Sequence, residues 1–422
     1  MRVRALAMGK ALATRGHRVT MVLPPWQNPE DGGRRWREDG VTVENVLLPL
    51  GVPGLFHVLT ALRLARRVLS LRPEVVHLFK PKAYSGLTHW LLVRLPRARR
   101  PRLVVDTDDW EGPGGWNELG DYTRLERRFF AWQERWSLTH ADAVTVASRT
   151  LESLVWAMGV PRDHVFYVPN GVGGRIGRGG TAEEGRGGAG GDGSCDACIL
   201  LYTRFFEFPV SQVLEVLHRV REQVPGARLL VVGEGLFGEE EELFRLARRA
   251  GLSVAGPPSG AIEGGSQPKS PISASPPDIT YAGWVDLEEL PSYFARATVA
   301  IYPFDDTLVN RTKCAVKLTD LLAAGVPVVA EAVGQNREYI RNGETGLLVE
   351  PGNVAGFADT VVEVLRNPAL QERLGQAGAR DVRARFAWGR LVEDVERAYG
   401  SATQSETRAE TESGIDEMGA GS

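Results

Sequence analysis

The stretch KCAVKLTDLLAAGVPVVA, Lys313 to Ala330, decides how this chain is read, because four signals follow one another in it. Apolar residues at helical spacing come first, then Gly325 as a helix stop, then Pro327 as a breaker, then a short buried run of valines. A helix delivered into a buried strand in this way belongs to a parallel α/β sheet. At about 100° per residue, Cys314, Leu318, Leu321 and Leu322 share one face of a helix that starts at Lys313, while Lys313, Lys317 and Asp320 line the other. Cations at a helix N-terminus suit a diphosphate, since the unpaired N–H groups and the dipole already favour anions, and Asp320 can accept from ribose hydroxyls. A solvated face with a Lys317–Asp320 pair accounts for the same pattern.

The rhythm continues on both sides of this stretch. Upstream within the second half, ILLYT (199–203), RLLVV (228–232) and ATVAIYP (297–303) read as strands, and GLLVE (346–350) follows downstream. In the first half VTMVL (19–23), VVHLF (75–79), LVVD (103–106), AVTVA (143–147) and VFYVP (165–169) alternate with helical patterns, which predicts a parallel sheet with crossover helices. Between the halves, residues 173–197 are rich in glycine and small polar residues and read as a linker or insertion. The predicted fold class is therefore α/β, with two Rossmann-like doubly wound domains at 1–172 and 198–385. Residues 254–278 interrupt the second domain as a Pro/Ser/Gly-rich excursion, 386–400 form a last helix, and 401–422 read as a disordered tail.

The start of the chain departs from this scheme. Val3 to Ala13 already reads as a helix, so the opening strand and glycine-rich turn of a doubly wound domain are expected to be missing. A start assigned too far downstream fits this better than a domain that lacks an edge.

Composition removes several alternatives. The chain has 422 residues, more than one compact core supports. Its 50 Lys+Arg and 53 Asp+Glu nearly cancel, which speaks against nucleic acid as a partner. Three cysteines and no long apolar run predict a reducing, cytoplasmic setting without a membrane span. Cys195 and Cys198 have CxxC spacing, but no second pair completes a zinc site.

From Tyr281 to Pro351 the sequence resembles the C-terminal part of GT-B glycosyltransferases, specifically glycosyltransferase family 4 (the group 1 glycosyltransferases). The segments that carry the resemblance are YAGWVDLEELPSYFARATVAIYPF (281–304) and KLTDLLAAGVPVVAEAVGQNREYIRNGETGLLVEPGN (317–353). RLLVVGEG (228–235), VPNGV (168–172) and FAWGRLVEDVERAY (386–399), a helix that crosses back to the first domain, extend it over nearly the whole chain. The resemblance implies two domains facing a cleft and a retaining transferase that uses a nucleoside diphosphate sugar. It implies Asp320 on the donor ribose and Arg204 on the leaving diphosphate. The family's other acidic position falls on Thr312, so Asp305 or Asp306 takes that role or it is absent. No lysine follows Arg204 where the family has one, which leaves Lys313 and Lys317 as candidates for the second positive charge. Gly233 and Gly235 are implied to line the nucleotide site, and Glu338 to lie near the donor; a partner such as Glu207 for Arg204 and a cap role for Glu338 are the structural alternatives.

In the first half His77 is read as ending a strand, with Lys80 beside it, and DTDDWEGPGGW brings Asp106, Asp108, Asp109, Trp110 and Trp116 to the same sheet edge. Carboxylates suit sugar hydroxyls and tryptophans suit sugar C–H faces, so His77, Lys80, Asp108 and Trp110 are candidate acceptor residues and Asp109 a catalytic one. Asp106-Thr107-Asp108 has the DxD form that holds Mn²⁺ in the other large glycosyltransferase fold, yet no metal and no cofactor besides the co-substrate are expected. HWLLVRLPRARRPR (89–102) reads as a helix packed on the sheet with a basic loop, or as a segment lying on anionic lipid. The acceptor can be a carbohydrate, a lipid-linked sugar or a small molecule, in cell-surface glycan or glycolipid synthesis, with peripheral contact to the inner membrane face. The rival readings are an epimerase or hydrolase of the same fold and a nucleotide-sugar-binding protein without catalysis.

Overall fold

The computed structural model of the chain describes residues 2–49, 55–173, 197–256 and 276–400. Cys195, nearly all of the 173–197 linker, most of the 254–278 excursion and the tail after Gly400 lie outside the described residues. The chain divides into two compact units. One comprises the residues up to Gly171 with Thr307–Cys314 and the chain from Phe386; the other comprises Val172–Asp306 and Ala315–Arg385. Residues 307–314, read in the sequence as part of the second domain, thus group with the first.

The first unit opens with a helical turn, Arg2–Leu6, that runs into α1 (Ala7–Thr14). Its strands form two sheets rather than the single parallel sheet expected. One contains β1 (Thr20–Leu23), β2 (Arg35–Glu38) and β3 (Val41–Asn45) in the order β1-β3-β2, with β2 antiparallel to β3. Asp39 and Gly40 join β2 to β3 with φ of 45° and 87°, and two positive φ values in a two-residue loop make the turn whose twist matches that of the strands. The other sheet is parallel, β4 (Val75–Phe79), β5 (Arg102–Thr107), β6 (Ala143–Val146) and β7 (Val165–Tyr167) in sequence order. Helix α2 (Phe56–Ser70) precedes β4, and α3 (Tyr84–Val93), α4 (Arg124–Thr139) and α5 (Arg149–Ala157) run between successive strands. Thr123 and Glu126 close a reciprocal capping box at the start of α4, and Ser148 caps α5. Residues 388–400 are helical, and Ala398 and Tyr399 pack on Val104 of β5 and Ala143 of β6.

The second unit is one seven-stranded parallel sheet. Its strands are β8 (Cys198–Tyr202), β9 (Arg228–Val232), β10 (Val254–Ala255), β11 (Ile279–Tyr281), β12 (Val299–Tyr302), β13 (Val328–Glu331) and β14 (Leu347–Val349), in the order β10-β11-β9-β8-β12-β13-β14. Burial on both faces explains why β8, β12 and β13 are buried at every residue and carry no polar alternation. From β8 the chain winds to one side through β9 and β11, then returns to lay β12 on the other side of β8. That reversal makes the carboxyl ends of β8 and β12 the topological switch point.

The deciding stretch itself differs from its sequence reading. Lys313 does not begin a helix: Leu308–Thr312 and Val316–Ala323 are separate helices, and Lys313 is extended at φ −67° and ψ 140°. The cause is non-local. Ser148 Oγ donates to the Thr312 carbonyl at 2.7 Å, and Asn170 Nδ2 donates to the Cys314 carbonyl at 2.8 Å. With those carbonyls satisfied from elsewhere in the first unit, the intrahelical ladder is interrupted. Lys313 therefore leaves the stripe, and Asp320, only 6% exposed, lies within a helix buried on nearly all sides. Gly325 stops that helix as read, at φ 75°, with Val326 N–H returning to the Leu321 carbonyl.

Candidate active site

At the switch point of the second unit, β8 leads into Thr203 and Arg204. The Arg204 guanidinium lies 5.6 Å from the centre of the Trp284 ring, in the turn after β11, and its Nε is buried without a hydrogen-bond partner. Glu207, the structural partner considered for it, instead lies 3.5 Å from Thr203 Oγ1. Lys317 reaches the same strand end from the helix Val316–Ala323, with Nζ 3.7 Å from the centre of the Tyr202 ring. Two cations thus flank the end of β8, each set over an aromatic face.

The neighbouring strand end carries the two glycines. Gly233 has φ 122°, and a Cβ there would lie 2.0 Å from the Thr203 carbonyl oxygen, so only glycine lets the β8 and β9 ends approach this closely. Gly235 is spent differently, its N–H donating to Glu240 at 3.1 Å. Of the remaining donor candidates, Thr312 sits in the first unit and returns its hydroxyl to the Leu308 and Val309 carbonyls at 2.9 and 3.0 Å. Asp305 is half-buried, which pushes its carboxyl above the usual carboxylate range, and Asp306 is exposed. Glu338 lies in the short helix Asn336–Tyr339, where its carbonyl accepts from Arg385 at 3.0 Å.

One residue at this edge was not read from the sequence. Glu331 ends β13 fully buried and accepts from the N–H groups of Phe304 and Gly352 at 2.6 and 2.8 Å and from Gln212 at 3.0 Å. Burial raises its carboxyl group against those bonds. It ties the end of β12 to β13 and so positions the switch point. A carboxylate closing the otherwise apolar run VVAE was its only trace in the sequence.

The first unit concentrates charge at the carboxyl ends of β4 and β5. Lys80, which turns out of β4 with φ 50°, bonds Asp109 at 2.5 Å and lies 3.6 Å from Asp108. Burial pushes the Asp108 carboxyl up to about 6, whereas for Asp109 the same burial is overridden by Lys80 and, further off, Lys313, which hold it below its ordinary value. Lys313 thus acts electrostatically on Asp109 inside the first unit. Trp110 is half-buried, its Nε1 donating to the Pro113 carbonyl at 2.9 Å. The loop is held from beneath by Glu134 of α4, which accepts from Glu111 N–H at 3.0 Å and from Thr107 Oγ1 at 3.3 Å. Burial raises the Glu134 carboxyl well above normal. Glu134 was not singled out in the sequence, although it falls on the inward side of α4 with Phe130 and Leu138.

His77 is not part of this cluster. It sits in the middle of β4, with Nε2 3.0 Å from Thr145 Oγ1 and Nδ1 3.1 Å from the Tyr399 hydroxyl. Burial lowers its pKa to about 4, so the ring is neutral. Because Thr145 donates to Asp106 at 2.5 Å, its oxygen receives the Nε2 proton, and Nδ1 accepts from Tyr399. Asp106 is likewise structural: Arg4 grips it through two bonds of 2.6 and 2.7 Å, both side chains being buried. That pairing occupies the first carboxylate of the DxD triplet, and among the described residues no three His, Cys, Asp or Glu side chains converge as a metal site. The 89–102 segment comprises the second half of α3 and a turn at Arg97–Arg99, with His89 and Leu92 buried. Among the described residues no helix is long and apolar enough to cross a membrane.

Two α/β units, each containing a parallel sheet, make up the architecture of the GT-B class. The family comparisons agree: residues 1–171 match the glycosyl transferase 4-like domain and 199–367 match glycosyl transferases group 1. The chain belongs to the group 1 glycosyltransferases and is a glycosyltransferase that works with a nucleotide-sugar donor and an acceptor. It is 26% identical over 398 residues, 91% of this chain and 90% of the other, to a GDP-mannose-dependent α-(1-6)-phosphatidylinositol monomannoside mannosyltransferase of Mycobacterium tuberculosis. It is 30% identical to a phosphatidyl-myo-inositol mannosyltransferase of Mycobacterium leprae over 204 residues, 48% of this chain and 46% of that one. Sucrose-phosphate synthase from Thermosynechococcus elongatus shares the fold with a TM-score of 0.70 at 21% identity, covering 94% and 92% of the two chains.

Proposed function

We propose that this chain is a retaining transferase that moves a hexose from a nucleoside diphosphate sugar to an acceptor hydroxyl in glycolipid or cell-surface glycan synthesis, working at the cytoplasmic face of a membrane. The observation that carries the reading is the pair of cations, Arg204 and Lys317, at the switch point of the second unit. A guanidinium and an ammonium held over aromatic rings present charge to a diphosphate without reorganising as negative charge develops on it. Asp320, on the same helix as Lys317, takes the ribose hydroxyls. The bond between the anomeric carbon and the diphosphate oxygen breaks, and the acceptor oxygen bonds to the same face of that carbon. The acceptor proton passes to the leaving phosphate oxygen, and the nucleoside diphosphate departs. No enzymic base is required by this sequence. Asp109, held ionised by Lys80, orients the acceptor hydroxyl, and Asp108 and Trp110 complete the acceptor side. The mannosyltransferase relatives support a lipid-linked acceptor and peripheral membrane contact.

The test is incubation of the full chain with GDP-mannose or UDP-glucose and a lipid-linked or small-molecule acceptor, reading anomeric configuration in the product by NMR. A product with the donor's configuration supports the reading. Inverted product, or free sugar with every acceptor, overturns it.

A further inference from the structure

Helix α4 presents a stripe of apolar residues to the outside. Its inward side carries Gln133, Glu134 and Ser137 beside Phe130 and Leu138, while Leu125, Phe129 and Trp132 are 80%, 43% and 47% exposed. At about 100° per residue Leu125, Phe129, Trp132 and Trp136 fall within about 60° of arc, a single stripe along the helix. Phe129 stacks on Trp132 at 5.8 Å, Trp132 meets Trp136 at 6.3 Å, and Trp136 stacks on His140 at 4.3 Å, so the aromatic surface is continuous. Folding alone does not explain this: water-exposed aromatic surface adds nothing to the core, and its arrangement in one contiguous stripe marks an interaction site.

Charge decides the occupant. Arg124, Arg128 and Arg135 are exposed along one flank of the stripe. The adjoining helix α3, whose His89 ring meets Trp136 at 5.4 Å, adds Arg94 stacked on Trp90 and then exposed Arg97 and Arg99. Nearby acids are largely engaged: Glu134 is buried, Glu126 is spent on the capping box, and Asp142 pairs with Arg100 at 2.7 Å. Tryptophan with arginine on an amphipathic helix suits the boundary between headgroups and acyl chains, where the ring is half in hydrocarbon and the guanidinium meets phosphate.

We propose that the outer side of α4, with the basic turn after α3, docks on an anionic lipid bilayer, the Phe129–Trp132–Trp136 stripe entering the interface and the arginines contacting lipid phosphates. This rests on the membrane-contact reading above and names the surface that makes the contact. It also moves the contact from the 89–102 segment alone to α4.

The test is flotation of the full chain with phosphatidylcholine vesicles, with and without one-third phosphatidylglycerol. Three proteins are compared: the wild type, Phe129→Ser/Trp132→Ser, and Arg124→Gln/Arg128→Gln/Arg135→Gln. The wild type is expected to float with the anionic vesicles only and to lose binding as salt is raised. The arginine variant should bind more weakly by about fivefold per charge removed, and the aromatic variant should fall to background. Far-UV circular dichroism and urea unfolding of each variant separate loss of docking from misfolding of the unit that carries α4, and nucleotide-induced stabilisation of the same preparations separates it from failure of the donor reading. Wild-type protein that ignores anionic vesicles overturns the proposal. So do variants that float like the wild type, or a wild-type dimer in light scattering that the aromatic variant turns to monomer, which would make a second copy the occupant.

Discussion

The carboxyl ends of β8 and of β5 are built from similar residues and do opposite things with them. At β8 the cations Arg204 and Lys317 rest over Trp284 and Tyr202, and Arg204 Nε has no hydrogen-bond partner. At β5 the cations are matched with carboxylates: Arg4 with Asp106, Lys80 with Asp109, and Lys82 with Glu111 at 2.9 Å. A buried guanidinium Nε without a partner is open to an incoming acceptor, whereas a cation in a salt bridge has already chosen its partner. The first arrangement leaves a guanidinium N–H unpaired, and the second fixes the geometry of the loop that carries Asp108 and Asp109.

Four measurements break or sharpen that contrast. Asp106→Ala leaves the Arg4 guanidinium buried and uncompensated, and should cost about 3–5 kcal/mol in urea unfolding; a cost near zero would mean that the β5 charges are not structural. Arg204→Ala should lower kcat/KM by about 10²–10³ while the urea midpoint stays close to that of the wild type. A large loss of stability there would make Arg204 a structural residue like Arg4.

The third measurement concerns a histidine near the β5 side. His89 is fully buried, neither ring nitrogen has a hydrogen-bond partner, and burial lowers its pKa to about 4. Its folded value lies below its unfolded one, so the unfolded chain binds more protons between about pH 6.5 and 4. The stability associated with the neutral ring is then fully present above that window and lost as pH falls through it, by about 3 kcal/mol. His89→Phe should flatten the acid side of the midpoint-versus-pH curve, and an unchanged slope would assign that acid sensitivity elsewhere. The smallest effect is expected for Lys80→Met. The Lys80 side chain is 47% exposed, so stability should change by less than about 1 kcal/mol. Asp109 loses the charge that keeps its pKa low, and the acidic limb of the transfer rate should move to higher pH.

Much of the fold was legible because buried parallel strands announce themselves. CILLY at β8, VAIY at β12 and VVAE at β13 are buried throughout and read as strands on apolar content alone. The β2–β3 hairpin escaped that reading although its Asp39-Gly40 turn is a strong local signal, because RWRE alternates half-buried and exposed residues and looks polar. The break before Val316 was invisible for a different reason: it depends on Ser148 and Asn170, each 164 or 144 residues away along the chain from the carbonyl it bonds. The same non-locality hid the roles of Arg4, Glu134 and His77. Arg204 was singled out through family resemblance and Lys317 from its place on the helix, and both side chains lie at the end of β8.

The most direct measurement is thermal unfolding of the full chain with and without GDP or UDP, for the wild type and Arg204→Ala. A ligand that binds only the folded chain raises the midpoint by mass action. One of the two nucleotides should raise the wild-type midpoint, and Arg204→Ala should remove the rise without lowering the ligand-free midpoint. A rise that survives Arg204→Ala would contradict the placement of the diphosphate at the end of β8.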